Sequence, residues 1–389
     1  MRRKNRFRLC FALLCCLVSL AFPAPGALAE TPGFGMVNAG DVALRRDVRG
    51  QKITRLQKGT SVWITESKAD SRGEMWYHVR AQETAKSGFP VRSGWIKAEF
   101  VDAGSGLWNN IRTVKTASLG MIALKNDGTV LLAGDFMLCD PRDRYTGLKD
   151  IRQVGFSTVG CGFFAVDGRG RLYRDGVRAA DGIRLAGSHD LVCVTEDNRL
   201  LVTYNGDTQL RWIYPQNGGE ADPARVTAMA ECNYRNLFLT EDGKVFCAYV
   251  DDAELGYPEP DWASWTDAES IDAELTSFGT YVIGGRTRRK YVPAFAAVRR
   301  DGTVLAAPES LAALTADWRD MRKVAVGSDW ILGLKRDGTV TAAGIGGRTP
   351  PDLSGWTDIT DISNGHTYCV GVKRDGTLVF AGDYTFSAD

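Results

Sequence analysis

One short phrase recurs along the chain and constrains the fold more than any other feature of the sequence. Its three clearest copies occupy residues 122–130, 332–340 and 370–378, where apolar residues alternate up to Asp-Gly-Thr and an apolar residue follows. Glycine adopts the positive φ that a tight turn needs, and a period of two is typical of strands. Each copy therefore predicts a β-hairpin.

Four weaker copies lie between the clear ones, at residues 164–172, 192–200, 237–245 and 295–304. In the second of these the turn is Asp197-Asn198, where Asn takes the place of Gly. The copy at 164–172 allows a turn at either Asp167-Gly168 or Arg169-Gly170. The phrase thus occurs seven times in all, with a period of about 40 residues.

A second element precedes the phrase at a fixed distance. Trp108, Trp318, Trp356 and Leu148 each stand 19 residues before the Asp of a turn, and Ile or Met follows three positions later. A period of about 40 residues built only of strand signals indicates a radial array of small sheets, the β-propeller. We therefore predict an all-β chain with a seven-bladed propeller over residues 107–386.

The repeats also resemble a known family. The steps Val324–Gly327 and Ile362–Gly365, followed by Asp-Gly-Thr and an apolar residue, are similar to repeats of the regulator-of-chromosome-condensation type. The resemblance implies seven blades. The family's usual Trp-Gly after the hairpin is Ala-Gly here, at 343–344 and 381–382. The chromatin role of the eukaryotic prototype is therefore not expected.

Residues 34–103 differ from the repeats and carry five short strand signals. The runs 56–62, 76–79 and 93–96 make this stretch similar to a bacterial SH3-like domain, a small β-barrel. That resemblance implies a tether to cell-wall peptidoglycan. We expect Trp63, Trp76 and Trp95 in its core, and Tyr77 is a candidate ligand contact.

The first 29 residues have the pattern of a secretory signal peptide. Five basic residues precede an apolar run at 9–22, and small residues at 27 and 29 suit cleavage before Glu30. The apolar run is shorter than the roughly 20 residues of a membrane span, although a signal anchor is the alternative. We therefore expect a secreted or extracellular protein, associated with the cell wall, whose mature chain has no membrane span.

Charge argues against nucleic acid as a partner. The formal net charge is +1, and loss of the five basic residues of the leader changes it to −4. A mildly acidic chain lacks the basic surface that phosphate backbones require. We expect a monomer that binds no nucleic acid.

Six cysteines remain after the leader: Cys139, Cys161, Cys193, Cys232, Cys247 and Cys369. An even number in a secreted chain permits disulfides. Cys193 and Cys369 occupy apolar strand positions in corresponding repeats, which favours buried free thiols. Both readings stay open at this point.

The sequence contains few groups suited to catalysis. It has three histidines, of which His189 and His366 occupy corresponding structural positions, and it has no known hydrolase or phosphate-binding motif. We expect no catalytic residue, no metal and no cofactor. The alternative is a glycan-active hydrolase or lyase of the cell envelope that uses two converging carboxylates in the propeller funnel.

The largest insertion, near residues 278–293, supplies most of the candidate binding residues. They are Tyr281, Arg286, Arg288, Arg289, Lys290 and Tyr291. Tyr and Arg are enriched at binding hot spots, so this loop predicts contact with an acidic protein or glycan. A second long connection, 205–223, adds Trp212 and Tyr214. The alternative for the insertion is a solvated surface loop.

Overall fold

The structure is a computed structural model that describes residues 33–58, 60–82, 91–103, 108–117, 120–134, 147–157, 162–187, 192–203, 210–212, 225–232, 235–249, 260–283, 286–365 and 368–382. Several sequence expectations fall outside these ranges. They are the signal peptide at 1–29, Tyr214, His189, His366, Cys139 and Cys161.

The N-terminal region forms one antiparallel sheet with its own core. Its strands are β1 (Gly33–Val37), β2 (Val42–Arg45), β3 (Lys52–Leu56), β4 (Ser61–Ala69), β5 (Met75–Gln82), β6 (Val91–Lys97) and β7 (Val101–Ala103). They run in the order β3-β2-β6-β5-β4-β1-β7. Alternate residues such as Leu44, Val79 and Ile96 are buried together, as the two-residue period of strands requires.

Among the described residues, seven small antiparallel sheets follow in the chain. The first four consist of β8 (Ile111–Ala117), β9 (Gly120–Lys125) and β10 (Val130–Gly134); β11 (Ile151–Ser157), β12 (Gly162–Asp167), β13 (Leu172–Arg174) and β14 (Val177–Ala180); β15 (Ile183–Ala186), β16 (Val192–Thr195), β17 (Leu200–Thr203) and β18 (Leu210–Trp212); and β19 (Val226–Cys232), β20 (Arg235–Thr240) and β21 (Val245–Tyr249).

The last three sheets consist of β22 (Ala268–Ile283), β23 (Arg286–Arg299) and β24 (Val304–Ala307); β25 (Met321–Val326), β26 (Trp330–Lys335) and β27 (Val340–Gly344); and β28 (Ile359–Asn364), β29 (Tyr368–Lys373) and β30 (Leu378–Gly382). One described α-helix, α1 (Glu309–Thr315), connects two of these sheets, and short 3-10 turns occupy Ala98–Phe100, Trp262–Ser264 and Ile345–Gly347. The predicted all-β class is confirmed. No described helix has the length and apolar character needed to cross a bilayer.

The sheets pack face to face in chain order, and the last sheet packs on the first. Each of seven apolar clusters joins two successive sheets. The cluster that joins the ends includes Val114 and Met121 from the first sheet and Tyr368 and Val370 from the last. Tyr368 also donates a hydrogen bond of 2.8 Å from its hydroxyl to the carbonyl of Gly120. A circle of small antiparallel sheets is a β-propeller.

The repeated turn is a three-residue connection with glycine in the left-handed region. In the first copy, Gly128 N donates to Lys125 O at 3.1 Å, Lys125 N donates to Thr129 O at 2.9 Å, and Gly128 has a φ of +77°. This is a turn followed by a bulge residue with positive φ. Asn198 takes this position with a φ of 61°, as expected, and in the copy at 164–172 the position belongs to Gly170.

The Asp and Thr of the phrase stabilise the turn together. Asp337 Oδ1 accepts hydrogen bonds from Thr339 N at 2.8 Å and from Thr339 Oγ1 at 2.7 Å. The same pair of bonds forms in three other copies, those of Asp127, Asp301 and Asp375. Because bonds from Thr339 favour the carboxylate, they lower the pKa of Asp337. The Asp and Thr are thus explained by the turn itself.

The glycine of the turn also contacts the next sheet. At six boundaries its carbonyl accepts a hydrogen bond of 2.8–3.1 Å from the first amide of the following sheet, as Gly128 O does from Ile151 N. A Cβ on Gly128 would lie 3.0 Å from the Cα of Asp150. At the boundary between the last and first sheets, a Cβ on Gly376 would lie 2.6 Å from the Cα of Asn110. The phrase therefore joins sheets as well as strands.

Arginines reinforce four of the boundaries. Arg112, Arg152, Arg184 and Arg322 follow the first residue of their sheets, and each donates to a backbone carbonyl of the next sheet. The shortest of these bonds, 2.6 Å, run from Arg152 Nη2 to Ile183 O and from Arg184 Nη1 to Val226 O. These guanidinium groups are therefore structural.

The described cysteines are buried and form no disulfide. They are Cys193, Cys232, Cys247 and Cys369. Burial disfavours the thiolate and raises the pKa of both Cys193 and Cys369 to about 12. These four side chains therefore behave as small apolar residues of the core.

The contact between Gly376 and Asn110 predicts a stability difference between two glycine substitutions. Gly347 has a similar φ of +79°, but a Cβ there would meet no atom within 4 Å. Gly347→Ala should therefore cost only the left-handed strain of about 1–2 kcal/mol. Gly376→Ala should lose about 1–3 kcal/mol more, because the added Cβ forces the last and first sheets apart.

Urea unfolding of both variants, followed by circular dichroism, measures the difference. Equal midpoints for the two variants would show that the close approach of Gly376 to Asn110 contributes nothing to stability.

Candidate functional site

The insertion near residues 278–293 is a β-hairpin and not a loop. β22 and β23 continue their antiparallel pairing from Ala268↔Arg299 out to Ile283↔Arg286, with one irregularity between Ser277 and Thr280. The prediction of a long loop was therefore wrong about its conformation. The sequence did not indicate paired strands here, because the strand-forming run Thr280–Ile283 is paired with the cationic run Arg286–Arg289.

The register assigns the candidate residues to two faces of this hairpin. Tyr281 is paired with Arg288 and Ile283 with Arg286, and cross-strand partners share a face. Lys290 has the same parity as Arg286 and Arg288 and lies on that face too. We call the face formed by Tyr281, Ile283, Arg286, Arg288 and Lys290 the basic face.

Arg289 lies on the opposite face and holds the hairpin against the next sheet. Its Nη1 lies 3.3 Å from Oδ1 of Asp329, whose side chain is only 8% exposed. Nearer the base, Ser277 N donates to Ser328 O at 2.9 Å. A Cβ on Gly346 would lie 2.6 Å from Ser277 O, so the chain after β27 is also close. The hairpin is therefore braced along one side.

The basic face carries exposed apolar and cationic groups together. Tyr281 is 50% and Ile283 63% exposed; Val282, between them in the chain but on the opposite face, is 69% exposed. Arg286, Arg288 and Lys290 are exposed as well, and no ion pair joins them to another described residue. A surface that combines exposed apolar side chains with unneutralised cations is suited to an anionic partner.

The other predicted binding residues lie elsewhere. Tyr291 is half-buried and lines the central channel. Trp212 ends β18, where its Cα is paired with Leu201. Tyr77 packs against the core of the N-terminal sheet. The structure thus brings together Tyr281, Arg286, Arg288 and Lys290, and separates them from Arg289, Tyr291, Trp212 and Tyr77.

In the N-terminal sheet the tryptophans have different surroundings. Trp76 is 3% exposed and donates from Nε1 to Asp70 Oδ2 at 3.0 Å. Trp95 is half-buried and meets the ring of His78 edge-on, with centroids 5.3 Å apart. His78 Nδ1 in turn lies 2.7 Å from the hydroxyl of Thr65. His78 is therefore held within the sheet.

The first strands of all seven repeat sheets surround a central channel. Residues of β8, β11, β15, β19, β22, β25 and β28, and those just after β15, β25 and β28, line this cavity of about 570 Å³. Its size lies within the range of about 300–1,000 Å³ that is typical of small-molecule sites.

One half of the channel wall, from β22 through β25 and β28 to β8, is charged. Lys323 on β25 pairs with Asp361 on β28, and Thr113 Oγ1 on β8 donates to the same carboxylate at 2.5 Å. Burial opposes ionisation of Asp361, but the ammonium groups of Lys323 and Lys115 outweigh it, so its pKa is lowered. Asp361 is thus an ionised acid with its partners in place.

The remaining charges of this half are less well compensated. The ammonium of Lys323 and then burial lower the pKa of Lys115. Burial raises the pKa of Asp272, although its Oδ2 accepts a hydrogen bond of 2.7 Å from Val326 N. Burial also raises the pKa of Glu274 to about 7. Glu274 is one of the residues that line the channel.

The other half of the wall, formed by β11, β15 and most of β19, is largely apolar. It presents Phe156, Met229 and Ala230, with Gly155 and Gly187 between them. The polar residues of β11 are engaged: Gln153 Nε2 donates to Ala186 O at 2.6 Å, and Arg152 bonds the backbone of β15. Glu231, 8% exposed, ends this half next to β22.

The charged residues of the channel were not predicted from the sequence. Lys115, Lys323, Asp272 and Asp361 each lie two or four residues after the first residue of a sheet. Aligning the seven first strands would have shown charges at positions that other copies fill with apolar or small residues. The motif Trp265-Thr-Asp-Ala268 was missed too, because the hairpin insertion changes its distance to the turn.

Within the described part of the chain, no three His, Cys, Asp or Glu side chains come together as a metal site. Asp361 is paired with Lys323, and Asp272 and Glu274 are two positions apart on β22. The expectations of no metal, no cofactor and no catalytic residue stay predictions.

These features define the class of the protein: an all-β repeat chain that forms a β-propeller, with an exposed basic hairpin and a charged channel. No protein-family model and no curated protein matches the chain. Solved structures do match it at low identity, among them a WD40 ectodomain and a β-propeller domain.

Three of these structures illustrate the range. The Cps50 (Swd1) β-propeller domain of Myceliophteria thermophila has 13% identity and a TM-score of 0.45, covering 70% of this chain and 97% of that one. The CRINKLY WD40 ectodomain of the Arabidopsis thaliana receptor kinase ACR4 has 14% identity and a TM-score of 0.40, covering 70% and 97%. Yeast RCC1 (Prp20), in complex with Kap60, has 14% identity and a TM-score of 0.35, covering 70% and 70%. The propeller assignment rests on the sheet order and packing described above.

The raised pKa of Glu274 predicts a pH dependence of stability. Between the ordinary value of 4.5 and about 7, the folded protein holds a proton that the unfolded chain has lost. Stability from this group therefore falls as pH rises through that window. Glu274→Gln removes the contribution, so the free energy of unfolding of wild type relative to this variant should fall between pH 4.5 and 7.

Urea unfolding of both proteins across this window measures the effect. A difference in unfolding free energy that is constant with pH would contradict the assignment of the titration to Glu274.

Proposed function

We propose that the chain is a secreted or cell-surface binding protein, in which a seven-bladed propeller presents a recognition surface and an SH3-like N-terminal domain attaches it to the cell wall. Seven repeat sheets with a closing contact between Gly376 and Ile111 support the blade number. The separate apolar core of β1–β7 supports an independent N-terminal domain.

The observation that carries the binding function is the basic face of the β22–β23 hairpin. Exposed cations and an exposed tyrosine lie on one face of a regular strand pair. Tyr and Arg give large contact areas, and Arg binds carboxylates through two parallel hydrogen bonds. The partner class is therefore an acidic protein or an acidic glycan.

The contacts that brace the hairpin lower the entropic cost of binding a partner. A surface that is already ordered loses little conformational entropy when a partner binds. Arg289 contributes here indirectly, because its contact with Asp329 fixes the opposite face of the hairpin. Tyr281, Arg286 and Arg288 contact the partner in this scheme, and Arg289 positions them.

A double substitution tests the hairpin. Arg286→Ala with Arg288→Ala should weaken binding to poly-glutamate and to polygalacturonate about tenfold or more, because each removes a charge-assisted contact worth about 1.5 kcal/mol or more. Biolayer interferometry with the immobilised polymers measures the affinity, and Tyr281→Ala should weaken it as well.

The matched control is Arg178→Ala with Arg319→Ala, which removes the same two charges from exposed positions away from the hairpin. Equal losses for the two double variants would show only non-specific attraction by net charge. Unchanged affinity in the Arg286 and Arg288 variant would remove the hairpin from the proposal.

The wall-attachment half of the proposal rests on the N-terminal domain and the leader pattern at 1–29. Residues 30–389 should therefore co-sediment with purified peptidoglycan, and residues 105–389 should remain in the supernatant. Circular dichroism of the shorter chain verifies that it is folded.

Equal pelleting of the two chains would refute the tether. Release of soluble products from wall glycan by the wild type, but not by Glu274→Gln, would instead favour the alternative of a glycan-active hydrolase or lyase. That alternative draws on the raised pKa of Glu274 and on Asp272, two positions away on the same strand.

A further inference from the structure

The central channel is a second candidate binding site, separate from the hairpin. Its wall changes character around the ring: the strands β22, β25, β28 and β8 are charged, and β11, β15 and β19 are largely apolar. Lys115 on β8 lies where the charged half meets β11, the first strand of the apolar half. A ligand at this junction therefore contacts an ammonium group and apolar surface at once.

Lys115 is the channel cation without a hydrogen bond or ion pair to another described residue. Lys323 is paired with Asp361. Of the acids facing Lys115, Asp361 also accepts from Thr113, and Asp272 accepts from Val326 N. Both act on Lys115 through space but do not pair with it. Its ammonium therefore remains available to an anion.

Repulsion within the channel supports the same conclusion. The largest influence on the pKa of Lys115 is the like charge of Lys323, which lowers it. An anion bound beside the two ammonium groups offsets this repulsion.

The apolar half offers space and surface for the body of such a ligand. Gly155 and Gly187 leave the wall without side chains, and Phe156 and Met229 add apolar area. Gly155 is not replaceable without rearrangement, since a Cβ there would lie 2.5 Å from the ring of Phe164. The recess at Gly155 is thus fixed by the packing of Phe164 against it.

We propose that the channel binds a small organic carboxylate, with the carboxylate on the ammonium of Lys115 and the apolar body against β11, β15 and β19. The cavity of about 570 Å³ accommodates a molecule of one or two rings. This site is independent of the hairpin and of wall attachment.

A pair of matched probes tests the proposal on the intact protein. 2-Naphthoate and its neutral analogue 2-naphthamide have nearly the same shape, so the ratio of their dissociation constants isolates the contribution of the charge. Wild type should bind the carboxylate about tenfold or more tightly than the amide, as a charge-assisted hydrogen bond provides. Isothermal titration calorimetry measures both constants.

Three variants assign the preference to one side chain. Lys115→Met should abolish the preference for the carboxylate, whereas Lys115→Arg, which keeps the charge, should retain it. Lys290→Met removes an exposed cation of the hairpin and should leave the ratio unchanged. Thermal unfolding verifies that each variant is folded, and the arginine variant tests the site even where the methionine variant does not fold.

Three outcomes would overturn the proposal. Wild type that binds neither probe, or both equally, has no anion site in the channel. A preference that survives Lys115→Met belongs to another residue. A preference lost in Lys290→Met belongs to the hairpin, and would leave the hairpin function standing while removing the channel site.

Discussion

The ring depends on one contact that the chain repeats at the boundaries between sheets. The glycine of each Asp-Gly turn has a positive φ, its carbonyl accepts the first amide of the next sheet, and its Cα lies against a residue that itself has a positive φ, such as Asn110 or Asp150. Two left-handed residues meet there with no room for a side chain on the glycine. The same contact, between Gly376 and Asn110, joins the last sheet to the first. The ring is therefore closed by the interaction that also joins its successive sheets.

Most of the fold follows from this local chemistry and was predictable from the sequence. Alternating apolar residues, Asp-Gly-Thr and the preceding Trp-x-Asp-Ile step are each local, and each copy specifies the same unit. The second reason for the glycine was not predictable, because the approach of Gly128 to Asp150 is a tertiary contact between sheets. The role of the Asp before the Ile or Met of this step also appears only in the structure, where Asp320 and Asp358 have positive φ.

The site was only partly predictable, for a geometric reason. The run Arg286-Thr-Arg-Arg-Lys290 identified a cationic segment, but the division of its residues between faces depends on the register with Tyr281 and Ile283. Arg289 follows Arg288 in the same strand, but successive side chains of a strand point to opposite faces. Arg289 therefore contacts Asp329 and does not lie on the basic face. The channel charges are scattered through the sequence, so Lys115 and Lys323, 208 residues apart in the chain, become neighbours only when the ring closes.

The two candidate sites hold their cations in different surroundings on the same propeller. On the hairpin, cations are exposed to bulk water, where their attraction is long-ranged but screened by salt. In the channel, the ammonium of Lys323 pairs with Asp361 and also lowers the pKa of Lys115. β22 belongs to both sites: Asp272 and Glu274 on its inner part face the channel, and Tyr281 and Ile283 at its end lie on the hairpin. Val326 N donates to Asp272 on the inner part of β22, and Ser277 N donates to Ser328 O further along the strand. These two contacts fix the position of the hairpin relative to the channel. Because that strand is continuous, β22 links the channel wall to the basic face as far as Ile283.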